Sequence, residues 1–233
     1  MPASRGQILR IEFDRAEAKF ADRVVLQPLS LTLTERRIGI IGLNGSGKTT
    51  FSRLINGLVQ PSAGRVLTNG HDTLKDAAKV RSQVGYIFQN PANQIVLPLI
   101  RDDIALGLQS RRLGKPDVEH LVSAVLARLG ITHLADRRAH ELSGGEIQLA
   151  ALASVLVTEP DVVIMDEPTN QLDLKNRNLV QRTIHDLPEN VIVVSHDLGL
   201  LAGFDRVLLF HEGALIHDGP SAQTIARYQA LVA

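Results

Sequence analysis

The chain has 233 residues, with 25 Lys and Arg set against 25 Asp and Glu, and contains no cysteine. That length can bury one large core, or a core with a smaller subdomain. Balanced charge leaves no electrostatic footprint for nucleic acid, and the missing thiols exclude a disulfide framework. No apolar run is long enough to cross a bilayer, and residues 1–6 lack the apolar stretch of a secretory signal, so cytosolic residence is expected.

In chain order, residues 8–13, 24–26 and 29–33 largely alternate apolar and polar side chains, which predicts half-buried strands of an antiparallel layer. The apolar run Ile38-Gly39-Ile40-Ile41 then leads into Gly42-Leu43-Asn44-Gly45-Ser46-Gly47-Lys48-Thr49, and the run 50–55 follows. The full GxxxxGK[ST] pattern thus falls at a strand-to-helix turn, the context a phosphate-binding loop requires. Its glycines let successive backbone N–H groups turn inward, and the following helix adds the positive end of its dipole. The nucleotide-binding candidates here are Asn44, Gly45, Ser46, Gly47, Lys48, Thr49 and Thr50. Lys48 is expected to reach the β- and γ-phosphates, and Thr49 to place its hydroxyl on Mg²⁺. Residues 60–64 read as a turn, 65–67 as a short strand, Asn69-Gly70 as a second turn and 84–88 as another strand.

From 99 to 156 the pattern becomes helical. Leu121, Val122, Val125, Leu126 and Leu129 share one apolar face, and Gly130 reads as a C-terminal cap. The runs 161–165 and 190–194 contain continuous apolar β segments of the kind buried on both faces of a parallel sheet.

Asp166 and Glu167 end the first of these runs, so both carboxylates are expected at the C-terminal edge of the sheet, where α/β proteins hold ligands. Asp166 fits a Mg²⁺ site shared with Thr49 and Gln89. Glu167 fits the general base for an attacking water. Gln89 and His196 also follow strands, and both are expected to converge on the γ-phosphate. His71, His120, His133 and His217 show no metal-ligand spacing and read as surface or packing residues. A second glycine motif, Leu142-Ser143-Gly144-Gly145-Glu146, precedes an apolar helical run. Ser143 and Glu146 have capping-box spacing, so the motif reads as a capped helix start; its exposed glycine N–H groups equally suit an anion.

Taken together, these residues resemble the ATPase subunits of ATP-binding cassette (ABC) transporters over nearly the whole length. In that resemblance Gly42 to Thr49 is the Walker A motif, Gln89 the Q-loop, Leu142 to Glu146 the signature, Val162 to Glu167 the Walker B motif, Asn170-Gln171-Leu172-Asp173 the D-loop and His196 the switch histidine. It implies an α/β P-loop NTPase of ABC ATPase type with an antiparallel β layer and a helical subdomain. One domain would span 1–233, with the nucleotide-binding core in 1–88 and 158–233 and the Q-loop and helical subdomain in 89–157. It further implies a head-to-tail dimer, either a homodimer or a pairing with a similar ATPase. Ser143, Gly144 and Gly145 of one subunit would then bind the ATP held by the other's Walker A. An aromatic upstream of Walker A is expected to stack on adenine; Phe20 fits, with Phe13 as the competitor.

Phe88-Gln89-Asn90-Pro91-Ala92-Asn93-Gln94, with Asp102-Asp103-Ile104-Ala105-Leu106-Gly107 beyond it, is similar to the Q-loop region of energy-coupling factor importer ATPases. The implied function is ATP hydrolysis coupled to uptake of a vitamin, biotin favoured, or of a metal ion. The implied partners are a membrane-embedded coupling subunit and a substrate-binding membrane subunit, with the chain peripheral at the cytoplasmic face. The alternatives are the ATPase of another ABC transporter and a soluble ABC-type ATPase. Two positions depart from the family pattern: Glu146 replaces the commoner glutamine, and Leu149 stands where many members carry arginine. Residues 90–107 are expected to form the docking surface, because Ile95, Val96, Leu97, Leu99 and Ile100 cluster there; packing inside the subdomain is the other outcome.

Overall fold

The computed structural model describes residues 9–233. Ile8, expected at the head of the first strand, and residues 1–6 lie outside the described residues. The chain opens with β1 (Ile11–Phe20), β2 (Arg23–Leu33), β3 (Arg37–Gly42) and α1 (Lys48–Ile55). Next come β4 (Ala63–Thr68), β5 (His71–Asp72), α2 (Ala77–Gln83) and β6 (Val84–Ile87). Three helices follow: α3 (Ile100–Leu106), α4 (Lys115–Arg128) and α5 (Gly144–Leu156). The chain then returns through β7 (Val162–Asp166), α6 (Leu174–Asp186), β8 (Asn190–Val194) and α7 (Leu198–Leu201), and closes with β9 (Arg206–His211), β10 (Ala214–Gly219) and α8 (Ser221–Val232).

These strands form two sheets. The first has the order β2-β1-β4-β5 and is antiparallel; the second has the order β10-β9-β3-β8-β7-β6. In the second, β9, β3, β8, β7 and β6 run parallel and only β10 is antiparallel. The parallel strands are mostly apolar, with charged residues confined to their ends, because both of their faces are covered. Ile38, Ile40, Ile164 and Val194 face a core shared with the antiparallel sheet, whereas Ile41, Val163, Met165 and Val193 face the helices.

Helix α1 lies between the two sheets. Its Phe51, Leu54 and Ile55 recur at helical spacing and are fully buried. The Phe51 ring stacks on Phe13 of β1 at 4.5 Å and meets Phe210 of β9 at 4.9 Å. Burial of such a ring contributes about 1.5–3 kcal/mol, and each ring pair about 0.5–1.5 kcal/mol more. The phosphate-loop helix is thereby clamped from both sides.

Several elements differ from the sequence reading. The expected strands 24–26 and 29–33 are one strand, β2, despite Pro28. Proline is tolerated there because β2 is the edge of its sheet and Pro28 falls where its register with β1 shifts, between the pairs Ala16 with Leu29 and Ala18 with Leu26. β1 runs on to Phe20, and α2 forms in a stretch whose only buried side chain is Val80. α4 buries Val122, Val125 and Leu126, with Leu121 and Leu129 beside that core, and Gly130 follows at φ 69°. The apolar cluster after Gln94 divides: Ile100 is in the core, Ile95, Leu97 and Leu99 are half-buried, and Val96 is 76 % exposed.

Candidate active site

Four parallel strands end on one edge of the sheet, and each delivers a candidate side chain there. β3 ends in the phosphate loop, β6 leads to Gln89, β7 ends at Asp166 before Glu167, and β8 leads to His196. Asn44, Gly45, Lys48, Thr49, Gln89, Asp166, Glu167 and His196 line a single cleft.

Gly47 sets the turn into α1. It holds φ 98°, and a Cβ there would come within 2.7 Å of the Val25 carbonyl oxygen. Any side chain is excluded on both counts. Ser46 and Gly47 are buried beneath the loop, and the Ser46 hydroxyl makes no hydrogen bond among the described residues. Lys48 is buried, and its Nζ donates to the carbonyl oxygens of Gly42 at 2.8 Å and Leu43 at 2.9 Å. Burial pushes its pKa down, while Glu167 and Asp166 push it back up.

Across the cleft, the Thr49 hydroxyl donates to Asp166 Oδ1 at 3.2 Å, and the Tyr86 hydroxyl donates to Oδ2 at 3.3 Å. Burial holds Asp166 above the usual carboxylate range. Burial and the neighbouring Asp166 push the Tyr86 hydroxyl up to about 12, so it is a donor. Thr49, Asp166 and Gln89 offer hydroxyl, carboxylate and amide oxygens, a hard donor set that fits Mg²⁺. Among the described residues no group of three or more His, Cys, Asp or Glu could hold an ion alone. An ion here has to complete its shell with phosphate oxygens and water.

Glu167 has φ 53°, a left-handed conformation that costs a non-glycine residue roughly 1–3 kcal/mol. Its N–H donates to the Val194 carbonyl at 2.8 Å, which ties the strained residue to β8. The carboxylate receives the His196 backbone N–H at 3.2 Å, and its other oxygen lies 3.2 Å from His196 Nε2. Burial raises the Glu167 pKa. His196 Nε2 is also 3.1 Å from Asn44 Oδ1. The Asn44 amide oxygen can only accept, so Nε2 carries the hydrogen. Burial and Lys48 lower the His196 pKa, which favours the neutral ring.

The sequence reading missed what fixes this histidine. Asp197 accepts from Arg177 Nε at 2.7 Å, Arg177 Nη2 at 2.5 Å, Gln181 Nε2 at 2.7 Å and the Thr169 hydroxyl at 3.1 Å, and caps α7 through Leu200 N at 3.2 Å. An Asp just before an apolar run is a helix-start signal that could have found it. These bonds tie the loop bearing His196 to α6 and to the segment after Glu167.

Phe20, Thr50, Ser143, Gly144, Gly145 and Asp173 are not brought into this cleft. Phe20 is 51 % exposed at the end of β1, whereas Phe13 is buried against Phe51 and has no free face for a base. Asp173 caps α6 by accepting from Asn176 N at 2.8 Å. Ser143 caps α5: its Oγ accepts from Glu146 N at 3.3 Å, and its own N–H donates to the Glu146 carboxylate at 2.8 Å. The capping-box half of the sequence reading therefore holds within the subunit. Of the two glycines only Gly144 is exposed; Gly145 is buried, and a Cβ on it would lie 2.5 Å from Asn176 Oδ1. Leu172 links the two regions, since it lines the cleft and would stand 3.0 Å from a Cβ on Gly144. Leu149 is buried in the helical core.

The ABC transporter family model matches residues 26–170. The biotin transport ATP-binding protein BioM of Rhizobium etli is 60 % identical over 225 residues, covering 97 % of this chain and 100 % of that protein. The energy-coupling factor transporter ATP-binding protein EcfA1 of Halalkalibacterium halodurans is 40 % identical, covering 79 % of this chain and 68 % of that protein. Among solved structures, cbiO1 from Clostridium perfringens, part of the ABC transporter complex cbiONQ, superposes with a TM-score of 0.85 at 28 % identity, covering 97 % of this chain and 94 % of that one. With the family model spanning both glycine motifs, and relatives aligned along nearly the entire length, this chain belongs to the ABC transporter family as one of its ATPases.

Proposed function

We propose that this chain is the ATP-hydrolysing subunit of an energy-coupling factor importer, with biotin the favoured cargo. The observation that carries this reading is the 60 % identity to a biotin transport ATP-binding protein over that protein's full length.

In this reading Lys48 and the loop N–H groups bind the β- and γ-phosphates, and Thr49, Asp166 and Gln89 hold Mg²⁺. The bound ion would neutralise phosphate charge as the terminal phosphoryl group is transferred. Glu167 takes the proton of the attacking water; its raised proton affinity makes it a better acceptor than a free glutamate. The neutral His196 ring donates through Nε2 and orients Glu167. Ser143, Gly144 and Gly145 of a second subunit close the site from above, and Phe20 stacks on the base. Every one of these positions is filled in this chain, which supports a homodimer.

Coupling is assigned to the segment 89–157, acting as a unit, with its docking face in residues 90–107. Its exposed point is Val96, and the loop behind that point is fixed. Asp103, itself buried, accepts from Val96 N at 2.7 Å and Leu97 N at 3.1 Å, while its second oxygen accepts from Ser154 of α5 at 3.1 Å. Gln94 ties the other end to β6, accepting from Phe88 N at 3.3 Å and donating to Tyr86 O at 3.1 Å. A push on Val96 is therefore felt both by the strand that bears Gln89 and by the helix that begins at Ser143. No described helix is long and apolar enough to cross a membrane, which supports a peripheral position on membrane subunits.

Co-expression tests the reading. The tagged chain should retain a helical membrane coupling subunit and a small substrate-binding membrane subunit, and the complex should hydrolyse ATP with Mg²⁺. Purification of an active ATPase that binds neither subunit would overturn it.

A further inference from the structure

Tyr86 has no role in the scheme above, yet its hydroxyl lies inside it. The residue is buried in β6, in register with Ile164 of β7, two positions before Asp166. Its ring packs on Phe88 at 4.9 Å. Its hydroxyl is 2.9 Å from Ser52 Oγ and 3.3 Å from Asp166 Oδ2. Ser52 is one turn beyond Thr49 on α1, and its Oγ is 3.0 Å from the Thr49 carbonyl oxygen. Thr49 in turn donates to Asp166 Oδ1 at 3.2 Å. Three elements thus close a ring of hydrogen bonds around one carboxylate.

The proton count in this ring is restrictive. Asp166 as a carboxylate only accepts, so Tyr86 spends its single hydrogen on Oδ2; the single Ser52 hydrogen then has two acceptors within reach, the Thr49 carbonyl oxygen and the Tyr86 hydroxyl, and backs Tyr86 when it turns to the latter. Thr49 likewise gives its hydrogen to Oδ1 and keeps its lone pairs for a cation. Both oxygens of Asp166 are held this way, one from β6 and one from α1. A carboxylate held at both oxygens cannot rotate without breaking a bond in a water-poor interior, where an unmade hydrogen bond is costly.

We propose that Tyr86, backed by Ser52, is a positioning residue that fixes the orientation of the Asp166 carboxylate for the metal ion. This rests on the reading that Asp166 holds Mg²⁺. It also gives one short strand two duties, since β6 both orients Asp166 and leads into Gln89.

The test uses the purified chain and ADP, with calorimetric titration in the presence and absence of Mg²⁺ and a parallel count of free Mn²⁺ by electron paramagnetic resonance. In the wild type, Mg²⁺ should tighten ADP binding. Tyr86→Phe keeps the ring and loses only the hydroxyl; it should leave metal-free ADP affinity unchanged and weaken metal binding about tenfold, as loss of an outer-sphere partner does. Ser52→Ala should act in the same direction more weakly, and the double variant should be no worse than Tyr86→Phe, because Ser52 acts through Tyr86. Unchanged metal affinity in Tyr86→Phe overturns the proposal. So does an equal loss of ADP affinity with and without metal, which is the mark of a purely structural role. If Tyr86→Phe does not fold, Ser52→Ala decides: weakened metal binding upholds the proposal and wild-type binding overturns it. A wild type indifferent to metal, with Asp166→Asn indistinguishable from it, would instead overturn the metal reading beneath.

Discussion

Glu167 combines a left-handed backbone with a half-buried carboxylate whose pKa burial raises, two unfavourable features on one residue. Such strain persists where the surroundings fix the residue, here through Val194 and His196, and it aims the side chain into the cleft. Glu167→Gln should keep those contacts and remove the half-buried charge. Hydrolysis should fall about 10²–10⁴-fold with ATP binding retained, because an amide cannot accept the water's proton. The same variant should raise the melting temperature of the nucleotide-free protein at neutral pH. A carboxyl whose pKa is raised by folding contributes stability at low pH that is lost as pH rises through its folded-state value. The gain from Gln should therefore shrink as the pH is lowered into the carboxylate range, and a gain that does not depend on pH would refute the burial argument. Lys48→Ala removes the side-chain cation that lies on the phosphate loop, bonded to the Gly42 and Leu43 carbonyls. A charge-assisted hydrogen bond contributes about 1.5–3 kcal/mol, so ATP affinity should drop at least about tenfold in equilibrium titration. Wild-type affinity in the folded variant would remove Lys48 from the phosphates.

Among the elements, those buried on both faces were the most legible in the sequence. The runs that became β3, β7 and β8 are largely apolar, and the phosphate loop, Asp166, Glu167 and His196 follow from their ends, as Gln89 follows from that of β6. The less legible elements are those whose pattern is set by tertiary contact. β2 looked broken because Pro28 is harmless only at an edge or a register shift such as the one it occupies, and α2 buries a single side chain and so carries no period. Tyr86 read as one more strand residue, since nothing in its spacing reveals that its hydroxyl reaches Asp166. The cluster 95–100 could not be resolved by composition, because one residue points out and another lies in the core. That division sets a prediction. Val96→Asp should leave the isolated chain folded, with a stability change of about 0.5 kcal/mol or less, and should abolish co-purification with the membrane subunits. Ile100→Asp, which buries an unpaired charge, should unfold it. Retained co-purification by a folded Val96→Asp variant would take the segment out of the docking face.

For the molecule as a whole, the Ser143 motif does not line the cleft that holds the phosphate loop, and the proposed second copy rests on that separation. Mixing Lys48→Ala chains with Ser143→Arg chains should give hybrids with one intact shared site, since the damaged loop and the damaged motif then fall together on the other. ATP should dimerise these hybrids, as seen by light scattering, better than it dimerises either variant alone; equal dimerisation would contradict sharing. In the proposed assembly the membrane subunits would choose the cargo, so the transport reading is tested there. The decisive measurement is uptake of labelled biotin into cells carrying this chain with its membrane subunits. Wild-type chain should drive accumulation, and Glu167→Gln chain, present in equal amount and still binding ATP, should not. Accumulation at the wild-type rate with Glu167→Gln, or none of any vitamin or metal ion with the wild type, would contradict the account.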